Sequence, residues 1–264
     1  MTSAPDGSAT RDTGQIKAVC LDIDDTLLDS ERASRCGLRA LVGSDRAWPV
    51  WQRTTDQFYS RFSSAEIDFD VLCVERTQAF FAAFGERIDA VEAARRESHR
   101  MAAMQHAWRL FDDVVPCLAW LRAAGLPLAA ITNAPGRYQR DKLASVGLAD
   151  AFDIVVISEE VGHSKPDPHI FGIAAEQLGR EPGELLHVGD RFEADALGAV
   201  RAGLRGVWLN RAGHAVPEPV RGGSGVREVA AIGDLHELVD LVVPAPVPHG
   251  AVGREPRDLA GAPA

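Results

Sequence analysis

Two aspartates separated by one residue, Asp22 and Asp24, stand where a short apolar run, residues 16–21, stops at the cluster Asp22-Ile23-Asp24-Asp25-Thr26. On an extended segment alternate side chains point to the same side, so both carboxylates can crowd one point in space. Two negative charges at one point need a cation. A hard divalent ion takes oxygen ligands, and magnesium commonly binds one or two carboxylates together with a substrate phosphate. Three further polar clusters punctuate the chain in the same way: Thr132-Asn133, Ser164-Lys165-Pro166, and Gly189-Asp190 with Asp195 close behind. Asp190 can supply another carboxylate. Lys165 brings a compact positive charge for phosphate oxygens, and Thr132 with Asn133 offers hydroxyl and amide donors for the same oxygens. Phosphoryl transfer depends mostly on positioning and on stabilising charge on the transferring group, and these are the parts it uses.

For the clusters to meet, the runs before them must be strands of one sheet. Residues 16–21, 127–131, 152–157, 185–188 and 206–209 read as short apolar strands. Between them, 114–124, 136–146, 168–178 and 193–202 read as helices, the first two ended by Gly125 and Gly147. This alternation predicts an α/β fold, a doubly wound parallel sheet with helices on both faces. In such sheets ligands gather at the carboxyl ends of the strands, where the four clusters lie. From about residue 30 to 105 the rhythm changes to helical stretches carrying Leu38, Leu41, Trp51, Phe58, Phe62, Leu72, Phe80, Phe81 and Phe84, with no strand among them. A helical domain is therefore expected as an insert near the start of the sheet domain. The expected boundaries are 16–29 and 112–242 for the sheet domain and 30–111 for the insert, with hinges near 28–30 and 111–113. Loose termini are expected at 1–15 and 243–264, and a Gly/Pro-rich loop at 212–225. Asp234 is expected to open a last helix with Glu237 in an arrangement similar to a capping box.

In order, LDIDDTLLDS, ITNA, GHSKPDPHIF and HVGDRFEAD resemble the motifs of the haloacid dehalogenase superfamily of phosphohydrolases, over roughly residues 16–210. The resemblance implies a magnesium-dependent phosphatase with a helical type 1 cap. It implies that Asp22 attacks phosphorus and becomes an aspartyl phosphate, and that Asp24 protonates the leaving alkoxide and then activates water. Magnesium would be held by the Asp22 and Asp190 side chains and the main-chain carbonyl of Asp24, with Asp195 supporting through water or neighbouring contacts. Dehalogenase members lack the second aspartate, because carbon–halogen cleavage needs no proton for the leaving group, so Asp24 argues for phosphate chemistry. Phosphomutase, dehalogenase-type hydrolase and non-catalytic scaffold are the alternatives. Two positions depart from the common pattern: Asp25 replaces a frequent glycine, and Arg191 a frequent serine.

A net charge of -10 gives no footprint for sequence-independent binding to nucleic acid or anionic lipid, so any phosphate must be met by local positive charge. The four cysteines form no CxxC pair and read as small buried residues. Together with a first segment lacking a signal-peptide core, they lead to the expectation of a cytoplasmic protein, monomer or homodimer, acting on a small phosphorylated metabolite. The histidines show no ligand spacing and read as surface or satisfied core residues, with His187 hydrogen-bonded in the core. Trp51, Phe58 and Phe62 read as the insert's own core. Arg95, Arg96 and Arg100 read as a solvated helix face, with a weaker option that an insert arginine reads an anionic substrate. Arg53, Tyr59 and Arg61 are candidate contacts from the insert to substrate.

Overall fold

A computed structural model describes residues 15–64, 66–215 and 229–242. The termini expected to be loose, apart from Gln15, and residues 216–225 of the Gly/Pro-rich loop lie outside the described residues. Six parallel strands form one sheet: β1 (Ala18–Leu21), β2 (Leu128–Thr132), β3 (Ile154–Ile157), β4 (Leu185–Gly189), β5 (Arg205–Leu209) and β6 (Ala230–Ile232). Their order is β3-β2-β1-β4-β5-β6. The chain thus works outward from β1 to one edge, then returns to β4 and works outward to the other. That reversal creates a crevice at the carboxyl ends of β1 and β4. The first five strands lie within two residues of the ends expected, whereas β6 was not expected. It is a three-residue edge strand, Ala230-Ala231-Ile232, too short and too small in side chain to stand out by periodicity.

Alternation along each strand sorts its residues between two cores. Val19 and Leu21 of β1 join one cluster, and Ala18 and Cys20 join the other. Four helices in succession follow β1: α1 (Ser30–Val42), α2 (Trp48–Ser63), α3 (Phe69–Ala82) and α4 (Ala90–His106). Asp29, Asp68 and Asp89 cap the first, third and fourth by accepting main-chain N–H groups of Arg32, Val71 and Glu92. Next come α5 (Val114–Ala123) and α6 (Gly136–Ser145), whose Leu118, Leu121 and Leu143 cover the Val19 face. A single turn, α7 (Ser158–Val161), follows β3. Then α8 (Pro168–Leu178) and α9 (Gly198–Arg201) cover the Ala18 face through Ile170, Phe171 and Ala199, and α10 (Leu238–Val242) packs Leu238 on the Val19 face.

The expected helix at 193–202 is two pieces: a π-helical turn, Phe192–Leu197, running into α9. The wide turn brings Asp195 back beneath the end of β4, where its Oδ2 accepts the Arg191 main-chain N–H at 3.0 Å. Asp234 does cap the final turn, through His236 N, but Glu237 accepts from Gly233 N at 2.8 Å, so the reciprocal bond of a capping box is displaced by one residue. Between the four-helix layer and the sheet the chain crosses twice, side by side. Leu28 and Leu110 form an antiparallel bridge, Phe111 N donates to Leu27 O at 3.0 Å, and Asp29 pairs with Arg109 at 2.8 Å.

Within the four-helix layer Trp51 and Phe58 are buried with Phe80 and Leu72 as neighbours, and Phe62 packs partly buried against the second of these clusters. Arg95 lies on a solvated face, but Arg100 does not: it is 2 % exposed. Its stripe, Ala93, Glu97, Arg100 and Met104, is the one α4 turns inward.

Candidate active site

β1 delivers Asp22 to the crevice, and Asp22 N donates to Val188 O at 2.9 Å, which ties the β1 exit to β4. Asp25 then takes the left-handed conformation, φ 59°. That is the conformation that favours glycine, the residue Asp25 was read as replacing, and aspartate is one of the few others to tolerate it. Its Oδ1 accepts the Glu31 N–H at 2.8 Å, fastening the turn to α1.

Lys165 sits at the centre, 6 % exposed. Its ammonium reaches Asp22 Oδ1 at 2.5 Å, Asp195 Oδ1 at 2.6 Å and the Ile131 carbonyl at 2.8 Å. All three N–H donors are therefore used within the protein. Burial alone would depress the lysine, but the carboxylates of Asp195 and Asp22 outweigh it and hold Lys165 above its ordinary value. Asn133 grips the lysine's main chain from both sides: Oδ1 accepts Lys165 N and Nδ2 donates to Lys165 O, each at 2.8 Å. The amide expected to face phosphate thus acts here as a clamp on the lysine loop. Tyr59 OH, from α2, donates to the Asn133 carbonyl at 2.5 Å, the one among Arg53, Tyr59 and Arg61 that lines the cavity. Arg61 instead pairs with Glu66 and Glu75.

Asp195 is buried beside His187, whose Nε2 lies 3.2 Å from Oδ1; His187 is a hydrogen-bonded core residue, as expected. Burial would raise Asp195, and Lys165 and His187 more than offset it, so it stays ionised. Asp190 is bonded through its main chain, N to Thr26 Oγ1 at 3.1 Å and O to Trp208 Nε1 at 2.8 Å. Burial, with the charges of Asp22, Asp195 and Asp25, pushes its carboxyl up to about 9. Burial likewise pushes Asp22 up to about 7, Lys165 opposing and Asp195 assisting.

Asp22, Asp190 and Asp195 each offer an oxygen within 4.8 Å of the others. An all-oxygen set of this kind suits a hard cation. Carboxyls that resist ionisation because of one another mark a surplus of negative charge that such a cation relieves. The donor set therefore fits magnesium.

Asp24 turns elsewhere. Lys142 Nζ meets its Oδ1 at 2.5 Å, Ser30 Oγ donates to the same oxygen, and Gln139 Nε2 donates to Oδ2 at 2.9 Å while also reaching Thr132 Oγ1 at 3.0 Å. Burial would raise Asp24, but the Lys142 charge and these three hydrogen bonds hold it below the ordinary aspartate range. Sequence reasoning missed Gln139 and Lys142. Their three-residue spacing on α6 puts them on one helix face directly after the Thr132-Asn133 cluster, a signal that was available.

These residues line a cavity of about 340 Å3 whose far wall comes from the helical layer, through Trp51, Thr55, Arg76, Arg100 and Met104. Thr132, Asn133 and Arg191 border it as well.

Compared with known proteins, residues 16–203 match the sequence model of the haloacid dehalogenase-like hydrolases. The chain is 30 % identical to a phosphoserine phosphatase of Thermus thermophilus over 84 % of its own length and 98 % of the relative's. It is 33 % identical to a glyceraldehyde 3-phosphate phosphatase of Methanopyrus kandleri over 77 % and 88 % of the two chains. Among solved structures, that of the HAD-family chain YfnB of Bacillus subtilis, solved with magnesium bound, superposes with a TM-score of 0.72 at 21 % identity, covering 86 % of this chain and 99 % of that one.

Proposed function

The chain belongs to the haloacid dehalogenase-like hydrolases, and from that membership we propose that it is a magnesium-dependent phosphatase that hydrolyses the phosphoric monoester of a small metabolite through an aspartyl phosphate on Asp22. Convergence of Asp22, Asp190 and Asp195 around Lys165, at neighbouring strand ends, carries this conclusion.

Lys165 holds Asp22 Oδ1, which orients the carboxylate and leaves its other oxygen to attack phosphorus in line. A bond forms from that oxygen to phosphorus as the bond to the leaving oxygen breaks. Asp24 gives its proton to the leaving alkoxide, then accepts one from the water that attacks the aspartyl phosphate, freeing Asp22 and inorganic phosphate. Its environment of Lys142, Ser30 and Gln139 favours the ionised form needed for the second step. A phosphate dianion arriving beside it pushes the other way and favours the proton it must donate in the first. Asp22 and Asp190 with the Asp24 main-chain carbonyl would hold magnesium, with Asp195 in support, and the ion would supply neutralising charge at the phosphoryl oxygens. A carbon–halogen bond has no need of an acid, so the care taken to position Asp24 favours a phosphate ester.

The helical layer over the strand ends and the size of the cavity suit a small leaving group and exclude bulk water from the acyl phosphate. Among the described residues no helix is long and apolar enough to cross a membrane, and Cys20, Cys36, Cys73 and Cys117 are free thiols, which fits the cytoplasm as the proposed location.

Phosphate release from para-nitrophenyl phosphate, with magnesium and after chelation, tests the proposal. Activity is expected only with the metal, and Asp22→Asn is expected to reduce it on the order of 10³-fold or more. Equal turnover by the metal-free protein, or by Asp22→Asn, would sink it.

A further inference from the structure

At the helical end of the cavity lies a second buried charge cluster, of opposite sign. Arg76 of α3 and Arg100 of α4 are 7 % and 2 % exposed, and they share one carboxylate, Glu97, itself 4 % exposed. Glu97 Oε1 accepts from Arg76 Nη2 at 2.5 Å and from Arg100 Nη2 at 2.8 Å. Its Oε2 accepts from Arg100 Nε at 2.8 Å and Thr77 Oγ1 at 3.1 Å. That fills the acceptor sites of one carboxylate. Donors remain. Among the described residues Arg76 Nε is buried with no partner, and Arg100 Nη1 meets only the Met104 thioether at 3.4 Å. Thr55 Oγ1, from α2, is also buried and unpartnered, and it lines the same cavity as both arginines.

The cluster carries a net single positive charge, and both guanidiniums lie over the Trp51 ring, at 4.6 and 4.8 Å. Burial lowers Arg76 from its ordinary value, with Glu97 opposing and Arg100 adding to it. Asp56 borders the cavity too, but it is exposed to solvent. A purely structural ion cluster would satisfy every buried N–H, since orphaned donors cost free energy. Here the orphans belong to residues that border the cavity. Tyr138, Asp22 and Lys165 border the same cavity as Arg76 and Arg100.

Building on the phosphatase reading, we propose that Arg76, Arg100 and Thr55 bind a carboxylate on the leaving group, which makes the substrate class small phosphorylated carboxylic acids. A planar carboxylate matches the guanidinium fork, and its single charge balances the cluster. A second phosphate would bring more negative charge than the cluster carries, into a cavity already walled by Asp22, Asp24 and Asp190.

Two matched pairs of esters test the assignment: phosphoglycolate against ethyl phosphate, and O-phosphoserine against O-phosphoethanolamine. The wild-type enzyme is expected to favour the carboxylate-bearing member roughly 10- to 100-fold in kcat/KM, the range for hydrogen bonds to a charged group. In Arg76→Gln that ratio should fall toward one, through KM and not kcat, and Arg76→Lys should keep part of it. Because Arg76→Gln removes a buried charge from the packing of the fold, calorimetric binding to Asp22→Asn, with the arginine cluster intact, provides a second readout and should give the same order of preference in Kd. Phosphate release from neither pair nor from para-nitrophenyl phosphate would overturn the phosphatase reading and this assignment with it, whereas release from the aryl ester but from neither pair would overturn this assignment alone. Equal efficiency on both members, equal binding to Asp22→Asn, or a preference for a propanediol bisphosphate over the phosphocarboxylates would overturn this assignment alone.

Discussion

The two ends of the cavity are out of electrical balance in opposite directions. At the sheet end Asp22 and Asp195 share Lys165, Asp24 takes Lys142, and Asp190 has no cation of its own. At the helical end two guanidiniums share Glu97. Neither end is neutral on its own side chains, and each lacks what the other has in surplus. A protein selected for stability alone would pair them off, since unpaired buried charge is costly. The separation supports the proposal that each end is completed by something that arrives: a cation for one and an anion for the other.

Breaking the helical end should give the largest effect. Glu97→Gln leaves Arg76 and Arg100 facing each other without a counter-charge, and the loss expected from removing one partner of a buried cluster is about 3–5 kcal/mol by denaturant unfolding. Added phosphoglycolate should restore part of that loss; a variant as stable as wild type would mean the arginines are already balanced by something else. At the sheet end, Lys142→Met strips Asp24 of its cation, and kcat is expected to fall about 10²-fold, the lower range for general acid–base catalysis, while the preference for carboxylate-bearing esters persists. Rate constants from single-turnover measurements would show this, and an unchanged kcat would remove Lys142 from the machinery. The smallest effect concerns pH. Asp22 and Asp190, raised to about 7 and about 9, keep a proton in the folded state over a range where the unfolded chain has lost it. Their contribution to stability is therefore greatest in acid and declines as pH rises from roughly 4 to 9. The metal-free protein should lose a few degrees of Tm over the upper part of that range, and magnesium should flatten the slope; a Tm that rises with pH in the absence of metal would contradict it.

Much of this was legible in the sequence because the sheet end obeys local rules. Each of the first five strands is a short apolar run, Asp22, Asn133 and Asp190 directly follow one, and parallel topology brings these ends together without further information. The helical end does not obey them. Glu97 and Arg100 look like an ordinary surface pair three residues apart beside Arg95 and Arg96, and Arg76 lies on another helix, so only the packing of α3 on α4 reveals that they form one cluster. The inward stripe Ala93, Glu97, Arg100, Met104 follows helical spacing, but two of its four members are charged, and periodicity rules read charge as solvent-facing. Asn133 and Lys165 show a subtler gap. Their residue types suggested contact with phosphate, whereas their hydrogen bonds are to each other, to Asp22 and Asp195, and to main chain. Sequence conveys what a side chain can donate and leaves open where the donation goes.

Asp195 owes its place to atoms the sheet lacks. A Cβ on Gly189 would stand 2.2 Å from Asp195 Cγ, and one on Gly206 would stand 2.1 Å from the Ala196 carbonyl oxygen. The wide turn nests in two notches, one in each of the adjacent strands β4 and β5, and only through them does the carboxylate arrive beneath Lys165. One methyl group at either notch, neutral and remote from any substrate, would evict a charge from the centre. The electrostatics of the site thus rest on a steric vacancy, and the tolerance of this enzyme to change is narrowest at two residues with no side chain.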